Sequence, residues 1–359
     1  MKVVLASNTA WSLWNFRRGL MEALEKYGYE VYTVAPEDRY SAYLLEGFKF
    51  IPLKNLDRKG TNPLKDFKLF LEYLSIYRRI KPNLVLNYTI KPNIYSSLAC
   101  YFLRIKCIST ITGLGYVFIE NTPLTKLVSF MYKLALYHNY KVLFQNNDDM
   151  KLFLERKIVD KDKAIRIKGS GVNTLFFNPE ICKDYPKNKS FVFLMVSRLL
   201  WDKGVREYIE AGRILKRIYG EKVEIWILGS VDKGNPSVVS EEDLKKWTEE
   251  GIVKYLGVAE DVRPYICQAD CVVLPSYREG IPRSLLEAMA MEKPIITTDS
   301  PGCRDVCADG ENGFLVKPKD VESLFVAMKR MLELSEEERL RMGKRGRKMV
   351  LDEFSEEKL

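Results

Sequence analysis

At 359 residues the chain exceeds the size at which one hydrophobic core stops growing, so two domains are expected. Its 47% hydrophobic and 29% charged residues are ordinary for a globular enzyme, and no stretch approaches the apolar length of a membrane-spanning helix. Fifty-seven basic against forty-eight acidic side chains leave +9, which favours an anionic partner: a phosphate-bearing metabolite, an acidic membrane surface or nucleic acid.

The amino terminus, MKVVLASNTAW, carries an apolar run too short for a signal peptide and reads as a first strand. Strands follow at EVYTVAP, FIPL, NLVLNYT, CISTITG, YKVLFQN and AIRIKGSG, with helical patterns over 16–27, 64–80, 92–103 and 124–138. The near-continuous apolar runs are those of buried parallel strands. Residues 180–190, polar and carrying a proline, read as linker, after which the pattern restarts. FVFLMVSRL, KVEIWILG, VKYLG, DCVVLPS, PIITTDS and GFLVK are strands, separated by helices over 204–218, 241–250, 260–268, 281–291, 321–333 and 335–349. The expectation is an α/β chain of two doubly wound parallel-sheet domains, 1–175 and 191–340, joined by a linker over 176–190. Residues 341–359 read as the start of a carboxyl-terminal helix that stops early. Such domains bind ligands beyond the carboxyl ends of their strands, and a cleft between the two is the expected site.

Seven cysteines, an odd number, are scattered without a secretory signal, which points to a reducing cytoplasm and buried thiols. Cys267/Cys271 and Cys303/Cys307 share a C-x-x-x-C spacing but lack nearby histidines, so no structural metal is expected.

The unusual residues of the second half gather in strand-to-helix turns. SRLLWDKG carries Arg198 and Lys203, LGSVDKGNPS carries Gly229, YLGVAEDV carries Gly257 and Val258, and PSYREGIPRS carries Glu279, Gly280 and Ile281. Helix amino termini offer unpaired N–H groups, Gly280 allows close backbone approach, and Arg198 and Lys203 add cations, which together describe a diphosphate cradle. Glu279 in such a turn makes sense as an acceptor for sugar hydroxyls. Glu287 lies eight positions on, roughly 12 Å along a helix, a reach that suits the vicinal hydroxyls of a ribose. Taken singly, Glu287 is also an ordinary solvated helix residue and Arg198 an ordinary surface ion-pair partner.

SRLLWDKG followed by PSYREGIPRSLLEAMAMEKPIITTD resembles the donor half of retaining glycosyltransferases of family GT4, which have the GT-B fold. The resemblance continues through GENGFLVKPKD and back into YTIKPNIYSSLA and ITGLGYVF, covering nearly the whole chain. It is most similar to the bacterial subgroup that extends undecaprenyl-diphosphate-linked sugars, including enzymes that add N-acetylgalactosamine to diacetylbacillosaminyl-diphospho-undecaprenol. The resemblance implies a UDP-sugar donor as substrate rather than a bound cofactor, and a polyprenyl-diphosphate-linked saccharide acceptor. It gives Arg198 and Lys203 the departing diphosphate, Glu279 the donor sugar, Glu287 the ribose, Gly280 and Ile281 backbone contacts to phosphate, and the Gly257–Val258 turn the base. The family uses the departing phosphate oxygen to take the acceptor proton, which fits a chain with one histidine.

Relatives commonly place a histidine near YTIKPN, where this chain has Thr89, Ile90 and Lys91, so Lys91 is a candidate sugar or phosphate contact. Ser7 and Asn8 at the end of the first strand, and Gly113 and Gly115 in TGLGYVF, are candidate acceptor or sugar contacts. Arg17 and Arg18 either meet an acceptor diphosphate or face solvent. His138 closes an apolar helix and reads as a helix-end or core residue. Asp160 and Asp162 lie in a polar turn; with no D-x-D after an apolar strand and no P-loop, neither a metal clamp nor a nucleotide kinase is expected. In NPLKDFKLFLEYLSIYRRIKP and PLTKLVSFMYKLALYHNYK the apolar positions mark a core-facing stripe, and Lys65, Lys68, Arg78, Arg79 and Lys126 line an exterior toward anionic lipid or simply water. The expected location is peripheral, on the cytoplasmic face of an inner membrane. The competing readings are a nucleotide-sugar 2-epimerase, which needs further acid/base groups, and a basic polyanion-binding protein, which needs cations interleaved with exposed aromatics; nucleic acid is not an expected partner.

Overall fold

The computed structural model describes residues 1–58, 60, 62–114, 118 and 122–358, and the chain divides into two units, Met1–Ser170 and Gly171–Leu359. The first unit begins β1 (Lys2–Ala6), α1 (Ala10–Lys26), β2 (Glu30–Ala35), α2 (Ser41–Gly47), β3 (Lys49–Pro52) and α3 (Pro63–Ile80). It continues β4 (Leu84–Tyr88), α4 (Ser97–Leu103), β5 (Lys106–Ile111), α5 (Pro123–Leu136), β6 (Lys141–Phe144), α6 (Asn147–Glu155) and β7 (Ala164–Arg166). The sheet order is β3-β2-β1-β4-β5-β6-β7, and all pairings are parallel, so every strand delivers its carboxyl end to one edge.

Alternation along β1 sorts the helices. Val3 and Leu5 pack with Leu13 and Met21 of α1 and Leu44 of α2, whereas Val4 and Ala6 pack with Leu69 and Tyr73 of α3 and Ala99 of α4. The first helix begins at Ala10, six residues before the expected start at 16, because the Thr9 side chain accepts from Ser12 N and caps it. The expected helix over 92–103 opens as a π-helical turn, Pro92–Ser96, before α4. Beneath it lies a buried polar network. Asn87 Nδ2 donates to Ser97 Oγ (3.1 Å), Ser96 Oγ to Asn87 Oδ1 (2.7 Å), and Asn139 Nδ2 to Ser109 Oγ (2.7 Å). Tyr77 of α3 joins through a 2.5 Å contact to Ser96.

The second unit runs β8 (Phe191–Val196), α7 (Val205–Tyr219), β9 (Val223–Leu228), α8 (Glu241–Glu249), β10 (Lys254–Tyr255) and α9 (Arg263–Gln268). It continues β11 (Cys271–Leu274), α10 (Arg283–Ala290), β12 (Ile295–Thr298), β13 (Gly313–Val316), α11 (Val321–Glu333) and α12 (Glu336–Met349). Its sheet, β10-β9-β8-β11-β12-β13, is also parallel throughout. One continuous apolar cluster fills both faces, from Val192 and Ile225 on the strands to Leu286, Met328 and Val350. The final segment packs on the same unit: Phe354 is buried in that cluster, and Val172 N donates to Phe354 O at 2.9 Å.

One cysteine expectation is overturned. Cys182, in the turn Pro179–Asp184, and Cys267, in α9, form a disulfide across 85 residues, their Cα atoms 4.9 Å apart. Packing of that turn against α9, which spacing along the chain does not reveal, brings the two together. The other five thiols are buried and free.

Candidate active site

At the carboxyl edge of the second sheet, the turns after β8, β9, β10 and β11 are braced against one another by backbone. Gly204, at φ 75°, ends the turn after β8; a Cβ there would stand 2.1 Å from Pro275 O. Tyr277 N donates to Asp202 O at 2.9 Å, tying the same two turns together. After β9, a Cβ on Gly229 would meet Ser197 O at 1.7 Å, and Gly229 N donates to Gly257 O at 2.8 Å. Gly204 and Gly229 are where no side chain fits between neighbouring strand ends.

Two helices, α7 of 15 residues and α10 of 8, start in this brace without a side-chain cap. Neither Gly204 before α7 nor Pro282 before α10 supplies one, and the short α9 after Val262 also lacks one, whereas Ser240, Asp320 and Ser335 cap α8, α11 and α12. Uncapped first turns present N–H groups and the positive end of the helix dipole, which suits phosphate oxygens.

The charged candidates of this unit sit at that edge. Lys203 Nζ lies 2.5 Å from Glu279 Oε1, both side chains largely shielded at 13% and 17% exposure. Arg198, half exposed, pairs at 2.7 Å with Asp232, which is buried. Glu287, in the second turn of α10, accepts from Arg283 Nε at 3.0 Å, and burial pushes its carboxyl above the ordinary glutamate value against the pull of Arg283. Gly280 is buried, Ile281 half-buried and Val258 exposed. Sequence reasoning missed three supports. Gly302, at φ 79°, lies under Glu279 and Gly280, where a Cβ would come within 2.2 Å of Gly280 O. Asp232 aims Arg198. The Tyr277 hydroxyl donates to buried Glu207 at 2.8 Å and fixes the turn from below. Of these, the glycine in DSPGC was the one visible sign.

In the first unit, Ser7 is buried at the end of β1 and contacts Ser12 Oγ at 2.5 Å, with Asn8 in the turn beside it. Lys91 is held by Asp66 of α3 at 2.6 Å, and Tyr95 donates to the same carboxylate at 2.9 Å. Two residues before Lys91, Thr89 has φ 71°, a left-handed conformation rare for a β-branched residue, and its buried hydroxyl finds no partner. Gly113 has φ 107°; Gly115 lies outside the described residues. Arg17 is buried over the Tyr88 ring at 4.2 Å, while Arg18 pairs with Glu22 on the surface. His138 is exposed past the end of α5, stacked on Tyr101 at 3.9 Å. Asp160 and Asp162 are exposed.

Among known proteins the chain is 29% identical over 358 residues to the N,N'-diacetylbacillosaminyl-diphospho-undecaprenol alpha-1,3-N-acetylgalactosaminyltransferase of Campylobacter jejuni, covering 96% of this chain and 92% of the relative. It is 25% identical over 287 residues to the Escherichia coli UDP-Gal:alpha-D-GlcNAc-diphosphoundecaprenol alpha-1,3-galactosyltransferase, covering 75% of this chain and 71% of that one. Its fold matches Anabaena HepE, solved with UDP and glucose, with a TM-score of 0.78 at 17% identity over 99% and 96% of the two chains. A family model described as Glycosyl transferases group 1 matches residues 178–349 and one described as Glycosyl transferase 4-like matches residues 2–146, so the chain carries both of these glycosyltransferase domains, is a glycosyltransferase and has the GT-B fold.

Proposed function

We propose that this glycosyltransferase moves a hexose or N-acetylhexosamine from a UDP-sugar to a polyprenyl-diphosphate-linked saccharide with retained anomeric configuration, working on the cytoplasmic face of the inner membrane. The observation that carries the proposal is the pair of uncapped helix starts, α7 and α10, braced together beside Lys203 and Glu279. That arrangement supplies main-chain donors and an ammonium where a diphosphate leaves, and a carboxylate where sugar hydroxyls arrive. Arg198, aimed by Asp232, adds a guanidinium to the departing UDP. Glu287 takes the ribose, the Gly257–Val258 turn lies by the base, and backbone at Gly229, Gly280 and Ile281 meets the nucleotide. Ser7, Asn8, Lys91 and Gly113 serve the acceptor side.

As the anomeric carbon–oxygen bond breaks, the electron pair goes to the diphosphate. The acceptor hydroxyl bonds to the same sugar face, and its proton goes to a departing phosphate oxygen. The protein then supplies charge stabilisation and positioning rather than a base. The relatives named above support a lipid-linked acceptor, and the donor in the name of the Escherichia coli relative supports UDP. The test is a panel of UDP-hexoses and UDP-N-acetylhexosamines, with and without an undecaprenyl-diphosphate-linked sugar. Acceptor-dependent UDP release with one donor is expected; release from none of them overturns the proposal.

A further inference from the structure

The helices α3, α4 and α5 lie side by side on one face of the first sheet, and their outer surface is aromatic where water would favour charge. Phe67, Phe102 and Phe130 are 59%, 64% and 58% exposed. The expected core-facing stripe exists in Leu69, Tyr73 and Tyr132, but a second apolar stripe faces outward, which corrects the sequence reading of these helices. Rings touch in an unbroken series across the three helices. Phe67 lies 6.3 Å from Phe70, Phe70 5.6 Å from Phe102, Phe102 5.5 Å from Tyr101, Tyr101 3.9 Å from His138, and His138 4.8 Å from Tyr137. From Tyr137 the series continues back along α5 through exposed Leu134, Phe130 and Leu127, spaced three and four residues apart.

Charge around these rings is mostly of one sign, although Asp57 pairs with Lys65 at 3.6 Å and Asp160 and Asp162 share a surface hollow with Tyr137 and His138. Lys65 and Lys68 on α3, Arg104 after α4, and Lys126 and Lys133 on α5 are all exposed. Neither α4 nor α5 contains a carboxylate. The two on α3 are engaged with their own unit: Asp66 holds Lys91, and Glu72 accepts from the backbone of Lys54 and Asn55. A hollow of about 580 Å³ at the end of the ring series is lined by Arg104 and Lys106 beside Tyr101, His138 and Tyr140. Outer helices of the second unit are built differently: α8 reads EEDLKKWTE and α12 EEERLRMGKRGRKM.

We propose that this face of α3, α4 and α5 docks on a bilayer containing anionic lipid, its rings entering the headgroup boundary and its lysines pairing with lipid phosphates. Among the described residues no helix is long and apolar enough to cross a membrane, so attachment is from one side. Rings and leucines provide interfacial partitioning, the excess of exposed cations over carboxylates provides attraction to an acidic leaflet, and neither suffices alone for firm attachment. The inference rests on the reading of a lipid-linked acceptor, since a soluble acceptor would give the face no reason to exist.

The full chain is sedimented with vesicles of phosphatidylcholine alone and of phosphatidylcholine mixed with phosphatidylglycerol. Wild type is expected to pellet only with the mixed vesicles. Two variants, F67E/F102E/F130E and K65Q/K68Q/K126Q/K133Q, are each expected to lose at least about tenfold in partitioning, since a basic residue near an acidic leaflet contributes about fivefold. Both should keep wild-type unfolding midpoints and wild-type turnover on a short-chain, water-soluble diphosphate acceptor. That second readout separates the two ideas: no turnover by wild type on any acceptor sinks the transferase reading, whatever the vesicles do. Wild-type binding by both variants, or no binding by wild type, overturns the docking face. So does a dimer that the ring variant converts to monomer without vesicle binding, which would make the face a contact between copies.

Discussion

In the carboxyl-terminal unit one apolar cluster runs from strand to strand, and most of the candidate charges are collected in pairs at the carboxyl edge. In the amino-terminal unit the interior holds amides and hydroxyls (Asn87, Ser97, Ser109, Asn139), while phenyl rings stand outside. The two sheets share the same parallel winding, so topology did not set this difference. The proposed function accounts for it by what each unit would meet: a small polyanion that wants a rigid, pre-paired socket, and a lipid-borne partner that wants an apolar landing face. Both units nevertheless hold one shielded lysine on a carboxylate, Lys203 on Glu279 and Lys91 on Asp66.

Those matched pairs offer the strongest way to break the contrast. Lys203→Ala and Glu279→Ala should each lower transfer by about 10²–10³-fold, the scale of losing one preorganised charge contact, with circular dichroism unchanged. Lys91→Ala should leave UDP affinity by calorimetry untouched and raise the acceptor KM. If Lys91→Ala weakens UDP as much as Lys203→Ala does, the division of labour between units is wrong.

Next in size are the glycines of the brace. Gly204→Ala and Gly302→Ala each drive a Cβ to within 2.2 Å of a backbone oxygen at positive φ, and should cost about 2–4 kcal/mol in urea unfolding. Gly28 also has positive φ but open space around it, and its alanine variant should cost about 1 kcal/mol. Equal losses at Gly28 and Gly302 would remove the case for the brace.

Glu287 gives a smaller, pH-dependent effect. Its raised pKa favours the folded unit at acid pH, and that advantage disappears as pH rises through the raised value. Ribose binding needs the ionised form, so UDP affinity should weaken as pH falls through a range above the ordinary glutamate value. Glu287→Gln should bind more weakly and flatten the Glu287-dependent part of that profile; an unchanged profile would take Glu287 out of the ribose contact. Smallest of all, Thr89→Gly should raise stability by about 1 kcal/mol by relieving a left-handed β-branched residue, and a loss instead would mean the turn is unstrained.

Much of this was written in the order of residues. Continuous runs such as FVFLMV and IITT announced buried parallel strands, and the restart after residue 190 announced a second sheet. Arg198, Lys203 and Glu279 stood out because charge in a strand-end turn has few structural uses. What stayed hidden depends on approach in space. The partners Asp232 and Glu207 and the Cys182–Cys267 bond join segments that spacing cannot relate, and the buttress at Gly302 left only its glycine as a sign. The outward rings of α3 and α5 were hidden for another reason: an apolar residue at helical spacing looks the same whether it faces a core or a lipid.

The cross-braced turns carry a last implication for anyone wishing to alter which sugar is transferred. A socket whose walls are locked by carbonyl-to-glycine approach has little room to be remodelled by lengthening or grafting loops, because one added methyl already collides. Reprogramming this enzyme should therefore proceed through the tips of side chains lining an unchanged main chain, one substitution at a time.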